Sequence, residues 1–157
     1  ESPRNLLVPL DGSEAAESVL RIIPRLLGTI GTGKVTLTSV VQPPFPISSA
    51  YLPHAVSEEA LHEQQLQRVR DYLDEVAGRL EAAGVATIDI RVVDARDPAQ
   101  GILQLCEEQE DIDMIGISSH GRGGVARFFL GSVADKLLRA APVPVLVTRR
   151  PEQEEGQ

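Results

Sequence analysis

The sequence predicts an α/β fold: an open, doubly wound parallel sheet of five strands with helices on both faces. Five short runs rich in Val, Ile, Leu and Thr alternate with segments of helical periodicity. That alternation makes βαβ units, and a helical crossover between strands is what a parallel sheet requires. The chain has 157 residues, 42% of them hydrophobic, which is one domain's worth with enough apolar material for a single core. Residues 1–150 are expected to form that domain, and the polar, acidic segment 151–157 to be a disordered tail.

The first strand is Leu6 to Leu10, ended by Asp11-Gly12-Ser13. Apolar positions at Val19, Ile22, Ile23, Leu26 and Leu27 give the helix that follows, with Ser13 as its N-cap and Gly28 as its stop. Val35 to Val41 is the second strand. Pro43, Pro44 and Pro46 open a long loop through His54, and a loop of this length beside a strand end is either functional or a tolerated insertion. Leu61, Leu66, Val69, Leu73, Val76, Ala77 and Leu80 trace one face of a helix over 56–83, closed by Gly84. Thr87 to Val93 is the third strand, and Asp97-Pro98 opens the next helix as N-cap and first residue. Ile112 to Ile117, Ser132 to Ala140 and Val143 to Thr148 supply the fourth strand, the last helix and the fifth strand.

Composition narrows the function. Net charge is -8 and aromatics are 3% of residues with no Trp, so the surface repels phosphate backbones and offers no platform for stacking exposed bases; nucleic acid is not an expected partner. No apolar stretch approaches the roughly 20 residues that span a bilayer, and the N-terminus has no secretory pattern, so a cytoplasmic location without membrane contact is expected. Cys106 stands alone in an apolar-patterned run and reads as a small buried hydrophobe.

The chemistry concentrates between Asp113 and Val133, DMIGISSHGRGGVARFFLGSV. An apolar run, a Gly-rich turn and a second Gly followed by a hydroxyl suit an anion: glycine lets several backbone N–H groups converge, and a helix start adds unpaired donors. The Lys-Ser/Thr pair of a P-loop and the Gly-x-Gly-x-x-Gly of dinucleotide sites are both absent. The spacing is instead Ser118-x2-Gly121-x9-Gly131-Ser132, flanked by His120, Arg122 and Arg127. For Gly131-Ser132 the plain alternative is an ordinary helix start with Ser as cap. For Asp11, directly after the first strand, it is an Asx turn with Gly12 and Ser13.

This pattern resembles the universal stress protein family, whose nucleotide-binding members carry Gly-x2-Gly-x9-Gly-Ser/Thr. NLLVPLDGSE near the start, the Asp97-Pro98-Ala99 triplet and PVPVLV at the end also fit, so the resemblance runs from Asn5 to Arg150. It implies strand order 3-2-1-4-5, of the adenine nucleotide alpha hydrolase-like kind, which brings Asp11 and Gly121 to one crevice. It further implies Pro9 against the base, Val40 offering backbone groups to adenine, and Asp11 on the ribose. Ile117, Ser118, His120 and Gly121 would form the other wall, with Gly131, Ser132 and Val133 on the phosphates. The implied ligand is ATP, or ADP or AMP, with or without Mg. Two positions depart from the motif: Ser118 replaces its first Gly, and Arg96 stands where many relatives have Gly.

No catalytic residue and no metal ligand is assigned, because His120 has no evident nucleophile or orienting partner. The expected function is an ATP-binding stress-response module that regulates or senses. The competing readings are a nucleotide-free dimeric interaction module and a slow ATP hydrolase. A homodimer is expected in either binding class, through the apolar edge strand at 143–148.

Overall fold

The computed structural model describes residues 5–30, 33–44, 57–119 and 131–149. Its elements are β1 (Asn5–Pro9), α1 (Glu14–Glu17), a 3₁₀ turn (Ser18–Ile22), α2 (Ile23–Ile30), β2 (Lys34–Val41), α3 (Glu58–Ala82), β3 (Ile88–Asp94), α4 (Pro98–Glu108), β4 (Met114–Ser119), α5 (Ser132–Ala140) and β5 (Val145–Arg149). The five strands are all parallel in the order β3-β2-β1-β4-β5, as the resemblance implied. The long loop falls mostly on residues 45–56 and the tail on 151–157, both outside the described residues.

Successive side chains of β1 go to opposite faces of the sheet and build two cores. Leu6 and Val8 pack with Val19, Ile23, Leu73 and Val76 on the side of α1 to α3. Leu7 packs with Ile102, Leu105, Ile115 and Leu137 on the side of α4 and α5. Within the sheet, Thr36 Oγ1 donates to Asn5 Oδ1 at 2.9 Å, Thr38 Oγ1 to the Arg91 carbonyl at 2.8 Å and Ser39 Oγ to the Leu10 carbonyl at 2.7 Å. Cys106 is buried, and burial pushes its thiol up to about 11, so it is a packing residue.

The N-caps Ser13 and Asp97 and the Gly84 stop form where the sequence placed them. Ser13 Oγ accepts the Ala16 N–H at 3.1 Å, and Asp97 Oδ1 accepts those of Ala99 and Gln100 at 3.0 and 3.2 Å. Gly84 ends α3 at φ +96°, with Val85 N–H bonded to the Leu80 carbonyl at 3.0 Å and Gly84 N–H to that of Glu81 at 2.9 Å, a Schellman closure. Ser57, whose Oγ accepts the Ala60 N–H at 3.2 Å, caps its start.

Several boundaries differ from the sequence reading. The first helical segment is not continuous: Pro24 has no N–H and its ring crowds the carbonyl four residues back, so the chain tightens into a 3₁₀ turn before α2. Gly28 lies inside α2 and does not end it. Pairing of β4 begins at Met114, two residues late, because the Ile112 N–H turns back to the Gln109 carbonyl at 3.1 Å; burial of Ile112 in the core is what made it resemble strand. Likewise β5 starts at Val145, since Pro144 has no N–H to give a ladder.

Two contacts fix helices close to the eventual site. Glu17 accepts from Tyr72 Oη and Arg79 Nη2, both at 2.8 Å, tying α1 to α3. Burial, with the Glu17 carboxylate, holds the Tyr72 phenol well above its ordinary pKa, so it remains a donor. On the other face, a Cβ at Gly101 would stand 2.8 Å from Ala95 Cβ and 3.0 Å from Val93 Cγ1, so α4 lies close against the end of β3. Gly101→Ala gains about 1 kcal/mol of helix propensity but overpacks at a cost of about 1–3 kcal/mol. Because the Ala95 Cβ is bound to the backbone and cannot swing aside, the expected result is a net loss of about 1 kcal/mol in urea unfolding, and a larger one for Gly101→Leu.

Candidate functional site

The strand order reverses between β1 and β4, since β1 continues to β2 on one side while β4 enters on the other. In such sheets the crevice beyond the carboxyl ends of the strands is where ligands sit. A cleft of about 540 Å³ occupies that place. Pro9, Asp11, Val40, Ile117, Ser118, Gly131, Ser132 and Val133 all line it. His120, Gly121, Arg122 and Arg127 lie outside the described residues.

At the end of β1, the Asx alternative for Asp11 is realised: Oδ1 accepts the Ser13 N–H at 2.9 Å, and Gly12 takes the turn at φ +82°. An ionised carboxylate has about four acceptor sites, so this bond orients the group at the cleft rim without exhausting it. The exposed Asp11 is the single ionisable side chain among the described lining residues.

The backbone of Val40 is positioned by register. Leu10 N–H bonds to the Thr38 carbonyl at 2.8 Å, so Thr38 points its polar backbone groups toward β1. In a parallel strand that direction recurs every second residue, which turns the N–H and C=O of Val40 the same way. By then β1 has ended at Pro9, and those groups meet the cleft where a strand would have been.

At the opposite wall, α5 begins with Gly131 as N-cap (φ -58°, ψ 159°) and no side-chain cap bond. Ser132 is thus the first helical residue and not the cap that the plain alternative supposed. The first intrahelical bond is Asp135 N–H to the Gly131 carbonyl at 3.0 Å. The N–H groups of Ser132, Val133 and Ala134, all lining the cleft, therefore have no acceptor within the helix. Unpaired donors together with the partial positive charge of a helix start are the chemistry that suits an anion. A Cβ at Gly131 would meet no atom of the described residues within 4 Å. Among the described residues, neither crowding nor backbone angle demands glycine there.

Ser118, the residue replacing the first motif glycine, turns its hydroxyl inward to the hydroxyl of Ser18. That pairing ties the end of β4 to the 3₁₀ turn, and no local pattern in the sequence announced it. Also missed were Gln65 and Val69 of α3 and Ile102 of α4, which complete the walls. The i, i+4 spacing of Gln65 and Val69 places both on one helical face, but only the packing of α3 brings that face to the cleft.

Comparison with known proteins agrees with this geometry. The family model described as the Universal stress protein family matches residues 3–149. Universal stress protein MJ0577 of Methanocaldococcus jannaschii is 27% identical, over 94% of this chain and 95% of its own. The solved structure of MJ0577 superposes with TM-score 0.75 at 24% identity, covering 98% of this chain and 100% of that one. A universal stress protein family protein of Arabidopsis thaliana, solved with AMP bound, gives TM-score 0.67 at 14% identity, covering 99% and 97%. A universal stress protein solved in complex with cAMP gives 0.67 at 19%, covering 95% and 98%. The chain belongs to the universal stress protein family.

Proposed function

We propose that the cleft binds an adenine nucleotide, with ATP as the ligand and ADP and AMP as its shorter relatives, and that the protein acts as a regulatory or sensing module in the stress response, in the cytoplasm. The observation that carries this reading is the convergence of Pro9, Asp11, Val40, Ile117, Ser118, Gly131, Ser132 and Val133 on one cleft of about 540 Å³. That volume suits a small ligand, for which pockets run to roughly 300–1,000 Å³. Pro9 and Val40 take the base, Asp11 the ribose hydroxyls, and the amides of Ser132 and Val133 the phosphates. Support comes also from the family, two of whose solved members hold AMP and cAMP. Where magnesium takes part it would enter with the polyphosphate, because Mg²⁺ keeps several waters and binds through substrate phosphates and one or two carboxylates. Calorimetric titration with Mg-ATP is expected to give a saturating heat at one nucleotide per chain; no heat would overturn the reading. A slow hydrolase is the competing chemistry, and it predicts phosphate release that stops when Asp11 or His120 is replaced.

The proposed partner is a second copy, paired through the edge segment 143–148. β5 is one of the two edges of the sheet, and Val147 is 36% exposed on it. An edge presents a row of backbone donors and acceptors that antiparallel pairing about a twofold axis would cover. Sedimentation is expected to give a dimer for the wild type and a monomer for Val147→Lys; a monomeric wild type contradicts the pairing.

A further inference from the structure

The nucleotide cleft continues past the start of α5. A second cleft of about 390 Å³ shares Pro98, Ser132 and Val133 with the first and is otherwise lined by Gln42, Arg96, Asp97 and Lys136. Two of these four residues are cations and one is an anion, an excess of positive charge in a protein of net charge -8. Lys136 lies one helical turn beyond Ser132, and helical side chains lean toward the N-terminus, so its ammonium is directed back over the Ser132 face.

At present that ammonium rests on Asp97, with Nζ 2.7 Å from Oδ2 and the two side chains 56% and 47% exposed. An ion pair this far into water is weak and exchanges readily. Asp97 is not stranded when Lys136 leaves, because its Oδ1 still accepts the N–H groups of Ala99 and Gln100 at the start of α4. The Lys136 bond, and then that of Gln100, hold this carboxyl below its usual range. Gln42 Nε2 donates to the Arg96 carbonyl at 2.7 Å, steadying the backbone that carries the guanidinium.

We infer that the second cleft is a terminal-phosphate subsite, in which Arg96 and Lys136 receive the phosphates of a nucleoside di- or triphosphate beyond the one held at Ser132 and Val133. This rests on the nucleotide reading above and deepens it to a ligand class: chains of two or three phosphates are selected over mono- and cyclic phosphates, whose single phosphate ends before reaching the cations. A terminal phosphate carries three acceptor oxygens, and charge-assisted bonds to Lys and Arg are the strong kind. Replacing the 47%-exposed Asp97 by such a group gives Lys136 a partner of greater charge.

The test is calorimetric titration of the wild type, Lys136→Gln and the double variant Arg96→Gln/Lys136→Gln with ATP, ADP and AMP, each protein checked by thermal melting. Both side chains are exposed, so the variants are expected to fold. Wild type should bind ATP about tenfold or more tightly than AMP, and that ratio should fall about tenfold in the double variant, with Lys136→Gln between. Equal affinity for ATP and AMP in the wild type, or a ratio unchanged in the variants, overturns the terminal-phosphate subsite alone. Failure of the wild type to bind any of the three overturns the nucleotide reading, and the subsite with it.

Discussion

Gly131→Val is expected to abolish nucleotide binding while leaving the fold nearly as stable as before. The position is a helix N-cap at φ -58° with open space among the described residues around the place a Cβ would take. A branched side chain is sterically permitted at that angle, and losing glycine at a cap costs up to about 1 kcal/mol. Binding is another matter, because a phosphate must come within about 3 Å of the amides of Ser132 and Val133, and a side chain at the cap stands in its path. Two lost bonds to a charged group, at about 1.5–3 kcal/mol each, amount to a loss of more than about a hundredfold in affinity. Calorimetry and thermal melting on the same preparation separate the two effects. Full-strength binding by the variant would remove the phosphates from α5.

Leu7→Ala is expected to be the most destabilising of simple truncations. Leu7 is fully buried on the central strand, among Ile102, Leu105, Ile115 and Leu137. Packing on two sides by α4 and α5 leaves little room to collapse, so the transfer and cavity losses add to about 3 kcal/mol. For a domain of this size that lowers the melting temperature by roughly 10 °C. Leu61→Ala, at a site 53% exposed, is the control and should shift stability by no more than about 0.5 kcal/mol. If the two variants melt alike, β1 is not the centre of the sheet.

The residues that were legible in the sequence are those whose role is local. Ser13 and Asp97 bond to N–H groups two or three residues onward, and Gly84 answers a backbone angle. Such signals are complete within a few positions. Pro24 was equally visible, but the apolar spacing of Val19, Ile22 and Ile23 is compatible with both a helix and a 3₁₀ turn, and periodicity alone did not separate them. Ile112 shows the opposite limit, since burial draws an apolar residue into the core whether or not its backbone joins the ladder.

At the site, Asp11, Gly131 and Ser132 were accessible because turn and helix-start chemistry is written in short motifs. The aim of Val40's backbone depends on where β1 stops relative to β2, a matter of register between strands. The Ser18 and Ser118 hydroxyls meet across 100 positions of chain, and Gln65 reaches the cleft only through the docking of α3. The link between Lys136 and Asp97 spans two helices in the same way. Each of these is a product of packing and has no local signature.

The most direct measurement is a ¹⁵N–¹H amide spectrum recorded as ATP is added. If the strand ends and α5 enclose a nucleotide, the amides of Ser132, Val133 and Val40 will shift together with one dissociation constant, while those of Glu81 and Gly84, at the far end of α3 from the cleft-lining Gln65 and Val69, stay in place. Shifts confined to other parts of the molecule, or none at saturating ATP, would contradict the account.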